Sequence, residues 1–219
     1  MKDKRKMIEA TMKEFIVKNL KWIILFLCLV GFLALAEDVF NKEIMNGDII
    51  GYKLISTFLI SDFATPIAKF ITNFGGAIFL AILTIILFIL IKNKKIGVSI
   101  FSNLAIITAL NQLLKNILQR PRPTEYRIIE ETGYSFPSGH SMISMAFYGY
   151  LIYLIYKYVK NKYVKWISMA LLSLLICSIG ISRIYLGVHY TSDVLGGFFI
   201  SISYLIIYIS VVNKFCIER

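Results

Sequence analysis

Six apolar blocks constrain this chain more than any other feature of its sequence. They run roughly Lys21–Ala36, Gly76–Ile91, Val98–Leu114, His140–Val159, Val164–Ile181 and Val194–Val212. A helix needs about 20 mostly apolar residues to cross a bilayer. A soluble six-helix bundle would carry polar stripes at helical spacing, and segments such as Ala77–Ile91 carry almost none. Composition agrees: 58% of the 219 residues are hydrophobic, against roughly 45–50% apolar in ordinary soluble domains, and mean hydropathy is +0.72. The expected fold is all-α, an integral membrane bundle of six transmembrane helices with short interfacial helices, forming one domain over 1–219.

Charge sets the expected sidedness. The chain has 24 basic and 13 acidic residues, a net charge of +11. With six crossings, both termini share one side with the loops near Lys92–Lys95 and Lys157–Lys165. That side collects 16 of the 24 basic residues, while the opposite side holds 8 basic and 9 of the 13 acidic ones. Basic loops stay in the cytoplasm, so the N- and C-termini are expected there. The basic excess is then a topology signal, and no nucleic-acid partner is expected. Cys28, Cys177 and Cys216 make neither a metal-ligand spacing nor a disulfide framework and read as core filler. The N-terminus imitates a signal peptide, with Ala34-Leu35-Ala36 ahead of Glu37. A long tail that includes Asp3, Glu9 and Glu14 favours a retained signal-anchor.

No linker or repeat divides the sequence. Residues 1–20 read either as a cytoplasmic amphipathic helix, with Met7, Ile8, Met12, Phe15 and Ile16 on the membrane, or as a flexible basic tail. The external stretch 37–75 mixes acidic and apolar residues and reads as one or two short interfacial helices, punctuated by Pro66 and Gly75-Gly76. Two further external segments, Lys115–Gly139 and Ser182–Asp193, hold the residues with chemistry.

In the run Lys115–Pro123, Lys115 falls at the outer end of the third block. Arg120 and Arg122 each precede a proline, which favours extended backbone and stops the helix. Basic residues at helix ends ordinarily snorkel to headgroups; here the outer side is otherwise poor in positive charge. Phe136-Pro137-Ser138-Gly139-His140-Ser141 opens the fourth block. Ser138 is a good N-cap candidate, Gly139 lets a ligand approach the backbone, and the amides of a helix start favour an anion such as phosphate. A plain capped helix start would explain this segment but for His140, an ionisable group at the mouth of a span. In Ser182–Asp193, Asp193 follows His189 by four residues, the spacing that brings side chains together on a helix. A carboxylate accepting from one imidazole nitrogen fixes the tautomer and frees the other to attack. An interfacial salt bridge would explain that pair but not Arg183 upstream.

The chain has two histidines, and both fall in these segments. All three segments lie on the same external side under the charge-derived topology. Cations and helix-start amides suit the oxygens of a phosphoryl group, and the histidines suit nucleophile and acid. No carboxylate cluster suggests a divalent metal and no Cys/His pattern suggests zinc, so neither a metal nor another cofactor is expected.

Together the segments resemble the type 2 phosphatidic acid phosphatase family, whose superfamily includes lipid phosphate phosphatases and vanadium haloperoxidases. The family pattern is Lys, six residues, Arg-Pro; then Pro-Ser-Gly-His; then Ser-Arg, five residues, His, three residues, Asp. Lys115, Arg122 and Pro123 match the first part; Pro137, Ser138, Gly139 and His140 the second; Ser182, Arg183, His189 and Asp193 the third. The match is close from about Lys115 to Asp193, and the six-span layout extends it over the chain. Within the family the chain is similar to the bacterial phosphatidylglycerophosphate phosphatase B and undecaprenyl-diphosphate phosphatase groups. The resemblance implies a metal-independent lipid phosphatase of the plasma membrane, with His189 as nucleophile, Asp193 holding its ring, and His140 as acid and then base. It implies that Lys115, Arg122, Ser138, Gly139 and Arg183 bind the phosphoryl oxygens. The expected partners are the bilayer and a lipid phosphate or diphosphate, such as undecaprenyl diphosphate, phosphatidylglycerophosphate or phosphatidic acid. A lipid-to-lipid phosphotransferase would use the same residues. A lipid or phosphate carrier is disfavoured, because transporters place charge near the midplane and often carry repeats.

Overall fold

The computed structural model describes residues 2–42 and 45–214, with side chains from Lys18 onward. Among the described residues there are eight helices and no strand: α1 Lys2–Phe40, α2 Asn46–Phe58, α3 Ala64–Asn73, α4 Ala77–Leu90, α5 Lys94–Leu118, α6 Gly139–Tyr158, α7 Lys162–Tyr185 and α8 Thr191–Val212. The side chains of the amphipathic-tail reading lie outside the described residues, as do Cys216 and Arg219.

The lysine-rich helix starts are capped by asparagine. Asn93 accepts from the Lys95 amide at 3.0 Å and Asn161 from the Val164 amide at 3.1 Å, each cap contributing roughly 1 kcal/mol. Helix α6 is central, packed against α5, α7 and α8, while α1 covers α8 and α4 covers α5. Phe147, Tyr148 and Tyr150 of α6 meet Leu80, Ile100, Ile176, Ile179, Leu205 and Tyr208 in the main core. The outer surface is apolar as well: Phe26, Leu33, Ile78, Ile89, Leu171 and Leu174 are exposed, as lipid-facing residues must be. Cys28 is buried, whereas Cys177 is exposed, so only the first of these two acts as core filler.

Helices occupy all six apolar blocks, but they are not alike. Four are long and apolar enough to cross a membrane: Lys18–Phe40 of α1, then α5, α7 and α8. Helix α4 has 14 residues, about 21 Å of rise against a hydrocarbon core of about 30 Å. It joins α3 at a 50° bend, and the pair together makes a fifth candidate span. Helix α6 has 20 residues but interleaves Ser141, Ser144 and several tyrosines with its apolar residues. The stretch 37–75 contains the end of α1 and two short helices. Of these α2 packs on α7 and α8, and α3 on α7.

Candidate active site

The three motif segments meet where α5 ends, α6 begins and the α7–α8 loop turns. Helix α5 stops at Leu118, Gln119 takes a left-handed conformation (φ 46°), and the chain leaves through Arg120-Pro121-Arg122-Pro123. A cavity of about 360 Å³ opens here. Its walls include Lys115 from α5, Arg122 from the α5–α6 loop, Gly139 and His140 from the start of α6, and His189 from the α7–α8 loop. Asn111, Gln112 and Asn116 of α5 and Gly75 beside α4 complete much of the lining. Both histidines thus face one space. Ser138, Arg183 and Asp193 stand behind this wall.

His189 has its tautomer fixed by its neighbours. Its Nδ1 lies 3.2 Å from Asp193 Oδ2 and its Nε2 3.0 Å from Arg122 Nη1. An arginine only donates, so Nε2 must accept, and the proton sits on Nδ1 facing the carboxylate. Burial pushes the imidazole down to about 4, against the pull of Asp193 and with help from Arg183 and Arg122. The ring is therefore neutral at ordinary pH, with the Nε2 lone pair held by Arg122 Nη1 at the cavity wall. His140 is pressed on by the α3–α4 corner. A Cβ added at Gly75 would lie 3.2 Å from His140 Cδ2, so a glycine permits this approach.

Asp193 is fully buried and satisfied on both oxygens. Oδ2 also accepts from the Tyr190 amide at 2.9 Å, and Oδ1 accepts from Arg120 Nη1 at 2.7 Å. The other end of that guanidinium donates to Asp48 Oδ2 at 2.7 Å. Burial opposes the Arg120 charge, but Asp193 and Asp48 outweigh it.

The three cationic phosphate-binding candidates are engaged with protein acceptors. Arg122 donates through Nε and Nη2 to the carbonyls of Thr132 and Gly133, and through Nη1 to Val188. Arg183, 1% exposed, donates to Glu131 Oε1 at 2.6 Å and Thr72 Oγ1 at 2.8 Å. Its Nε has no acceptor among the described residues. Burial favours protonation of Glu131, but the Arg183 hydrogen bond and charge outweigh it and hold the carboxyl below its usual range. Lys115 donates to the carbonyl of Tyr134. Ser138 caps α6, its hydroxyl oxygen accepting from the Ser141 amide at 3.4 Å and the Ser141 hydroxyl at 3.0 Å. Gly139 sits against Asn111, whose Oδ1 would be 3.1 Å from an added Cβ. Among the described residues, no three of His, Cys, Asp and Glu are grouped to hold a metal ion.

Sequence reasoning missed Glu131, Thr72, Ser192, Asp48 and the inward role of Arg120. Arg120 carried a signal, since it shares with Arg122 the setting before a proline. Asp48 carried a weaker one, as one of several acids in the mixed 37–75 stretch.

A family model for the PAP2 superfamily matches residues 95–216. Phosphatidylglycerophosphatase B of Bacillus subtilis (strain 168) is 41% identical over 93 residues, which is 41% of this chain and 44% of that protein. The chain thus matches less than half the length of that relative. Undecaprenyl-diphosphatase of Sulfolobus acidocaldarius is 26% identical over 164 residues, 72% of this chain and 71% of that protein. Among solved structures, a crystal structure described as the first transmembrane PAP2 type phosphatidylglycerolphosphate phosphatase from Bacillus subtilis is similar with a TM-score of 0.75. It shares 26% identity, over 89% of this chain and 98% of that one.

Proposed function

The chain belongs to the PAP2 superfamily, and from that premise we propose that it hydrolyses a lipid phosphate or lipid diphosphate through a phosphohistidine, without a metal. The observation that carries this reading is the shared cavity of His140, His189, Lys115 and Arg122, with Asp193 directly behind the His189 ring.

As Arg122 Nη1 passes from His189 Nε2 to a phosphoryl oxygen, the freed Nε2 lone pair attacks phosphorus in line. The bond from phosphorus to the lipid oxygen breaks, and that oxygen takes a proton from His140. The phosphorylated ring keeps its Nδ1 proton and becomes cationic, a charge that Asp193 stabilises. Water then gives a proton to His140 and attacks phosphorus. The P–N bond breaks, its electron pair returns to Nε2, and inorganic phosphate leaves. Lys115, Arg122, Arg183, the Ser138 hydroxyl and the Gly139 amide hold the phosphoryl oxygens, and their grip tightens as charge spreads in the transition state. The Glu131 carboxylate is the resting counter-ion of Arg183, and the arriving phosphoryl oxygens replace it.

The site lies at the extracytoplasmic rim of the plasma membrane, in one domain of six crossings. The α3–α4 pair makes one crossing and α6 another, and both termini are cytoplasmic. The basic bias of the 92–95 and 157–165 loops supports this orientation. Undecaprenyl diphosphate, phosphatidylglycerophosphate, phosphatidic acid and diacylglycerol diphosphate are the substrates to compare. An extracytoplasmic site favours the first, because carrier-lipid recycling leaves it on that side. The deciding experiment is phosphate release from these four lipids in detergent with excess EDTA. Release from at least one, abolished in His189→Ala, is the expected result. Activity lost in EDTA and restored by a divalent ion would overturn the mechanism, and label passing to a second lipid instead of to phosphate would make the protein a phosphotransferase.

A further inference from the structure

Behind the His189–Asp193 pair runs a buried ionic chain whose far end comes from outside the family-matched residues 95–216. Arg120 is 8% exposed and Asp48 4%. Arg120 Nη1 donates to Asp193 Oδ1 and to Ser192 Oγ, both at 2.7 Å, and its Nη2 donates to Asp48 Oδ2 at 2.7 Å. Asp48 also accepts from the Ser192 amide at 2.7 Å and from the Ser192 hydroxyl at 2.9 Å. The Arg120 guanidinium lies over the Tyr190 ring, 4.1 Å from its centroid. Helix α2, which supplies Asp48, seats closely on the start of α8: a Cβ added at Gly51 would lie 2.1 Å from Thr191 Oγ1.

Two carboxylates around one guanidinium are a poor way merely to fasten α2. Taking such groups out of water is expensive, and well-packed apolar residues of similar size often hold an interface equally well. Apolar residues cannot, however, orient a carboxylate or offset its charge. Arg120 binds the one Asp193 oxygen that His189 does not use, which fixes the plane of the carboxylate facing Nδ1. As a cation it also withdraws basicity from Asp193, so the shared proton stays on the imidazole. Asp48 takes the other half of the guanidinium and moderates that pull.

We propose that Asp48 and Arg120 are positioning residues that hold the Asp193 carboxylate toward the His189 ring and balance its charge, making α2 a working part of the active site. The consequence for turnover rests on the phosphatase reading. The charged and titratable groups around His189 are Asp193 of α8, Arg183 of α7, Lys115 of α5, His140 of α6, and Arg122 and Glu131 of the α5–α6 loop. All of these stay unchanged in the variants that follow.

The test compares Asp48→Asn, Arg120→Gln and Ser192→Ala in the full chain in detergent, by phosphate-release kinetics and by ¹⁵N NMR titration of the His189 imidazole. Asp48→Asn leaves the Arg120 charge uncompensated and should shift the His189 titration downward. Arg120→Gln removes that charge and should shift it upward. In both, kcat should fall about 10- to 100-fold with KM within about threefold. A merely structural tie would move both titrations alike or neither, and either result overturns the proposal, as does wild-type kcat in Asp48→Asn. If the charge variants fail to fold, Ser192→Ala decides. This variant removes one hydroxyl from the chain; an unchanged kcat sinks the proposal and a fall of about threefold or more at constant KM supports it. Should the wild type release no phosphate from any lipid, the phosphatase reading fails by itself, and the opposed titration shifts still test the ionic chain.

Discussion

Glu131→Gln should make the protein bind phosphate-like anions more tightly. In the resting site the Glu131 carboxylate accepts from Arg183 Nη2 at 2.6 Å and lies 3.9 Å from Arg122 Nη2. In the proposed mechanism, an arriving phosphoryl group must break that contact before it can use Arg183. A hydrogen bond to a charged group is worth about 1.5–3 kcal/mol net, and a neutral one about 0.5–1.5. Replacing carboxylate with amide therefore lowers the cost of displacement by about 1–1.5 kcal/mol. The Glu131 side chain is 29% exposed, so water already weakens the pair and the lower part of the range applies. At 1.4 kcal/mol per factor of ten, the inhibition constants for orthovanadate and inorganic phosphate should fall about 5- to 8-fold. The assay is inhibition of phosphate release in detergent micelles, wild type beside variant. Constants that stay within about twofold, or that rise because Arg183 has lost its orientation, would refute the displacement argument.

Three other outcomes follow from the geometry. His189→Ala should reduce turnover to background and Asp193→Asn should lower kcat by roughly 10²–10⁴-fold; retention of a tenth of wild-type kcat in either would remove that residue from its role. Because burial holds His189 at about 4, its imidazole should stay neutral and nucleophilic from neutral pH down to about 4 and lose its lone pair only below that. NMR titration of the two histidines, assigned with His140→Gln, would contradict this if His189 showed a midpoint at the ordinary value near 6.5. Gly187→Ala should destabilise the His189 loop by about 2–4 kcal/mol. Its φ is +69° and its Cβ would fall 2.0 Å from the Tyr126 carbonyl oxygen, so strain of roughly 1–2 kcal/mol adds to a backbone clash. An unchanged thermal midpoint in detergent would count against that account.

What the sequence made legible was local. The His189–Asp193 spacing, the Ser138 cap and the helix stop before Arg120-Pro121 each depend on residues within four positions of one another. The apolar blocks announced their helices because lipid tolerates few polar side chains. The assembly of the cavity could be anticipated only through sidedness, which put all three motifs on one rim without saying which cations would face inward. Arg183 turns to Glu131 and Thr72, an outcome fixed by tertiary packing. The Asp48–Arg120 contact joins residues 72 positions apart, and no periodicity or spacing rule reaches that far. The block Gly76–Ile91 is visible as apolar, but its 50° corner with α3, where Gly75 packs against α6 and α7, is not.

That corner links positions that share no chemistry. The space a methyl group would take at residue 75 is filled on three fronts: Ile179 Cγ2 at 2.8 Å, Ser144 Oγ at 2.9 Å and His140 Cδ2 at 3.2 Å. Interiors this dense cannot absorb an extra carbon without displacing a neighbour. Of the three, His140 is the one the proposed chemistry cannot spare, so any enlargement at 75 has to be matched by shrinkage at 179 or 144. Evolutionary drift at these sites should consequently be joint, with a bulkier residue on the α3–α4 corner accompanied by a smaller one on α6 or α7.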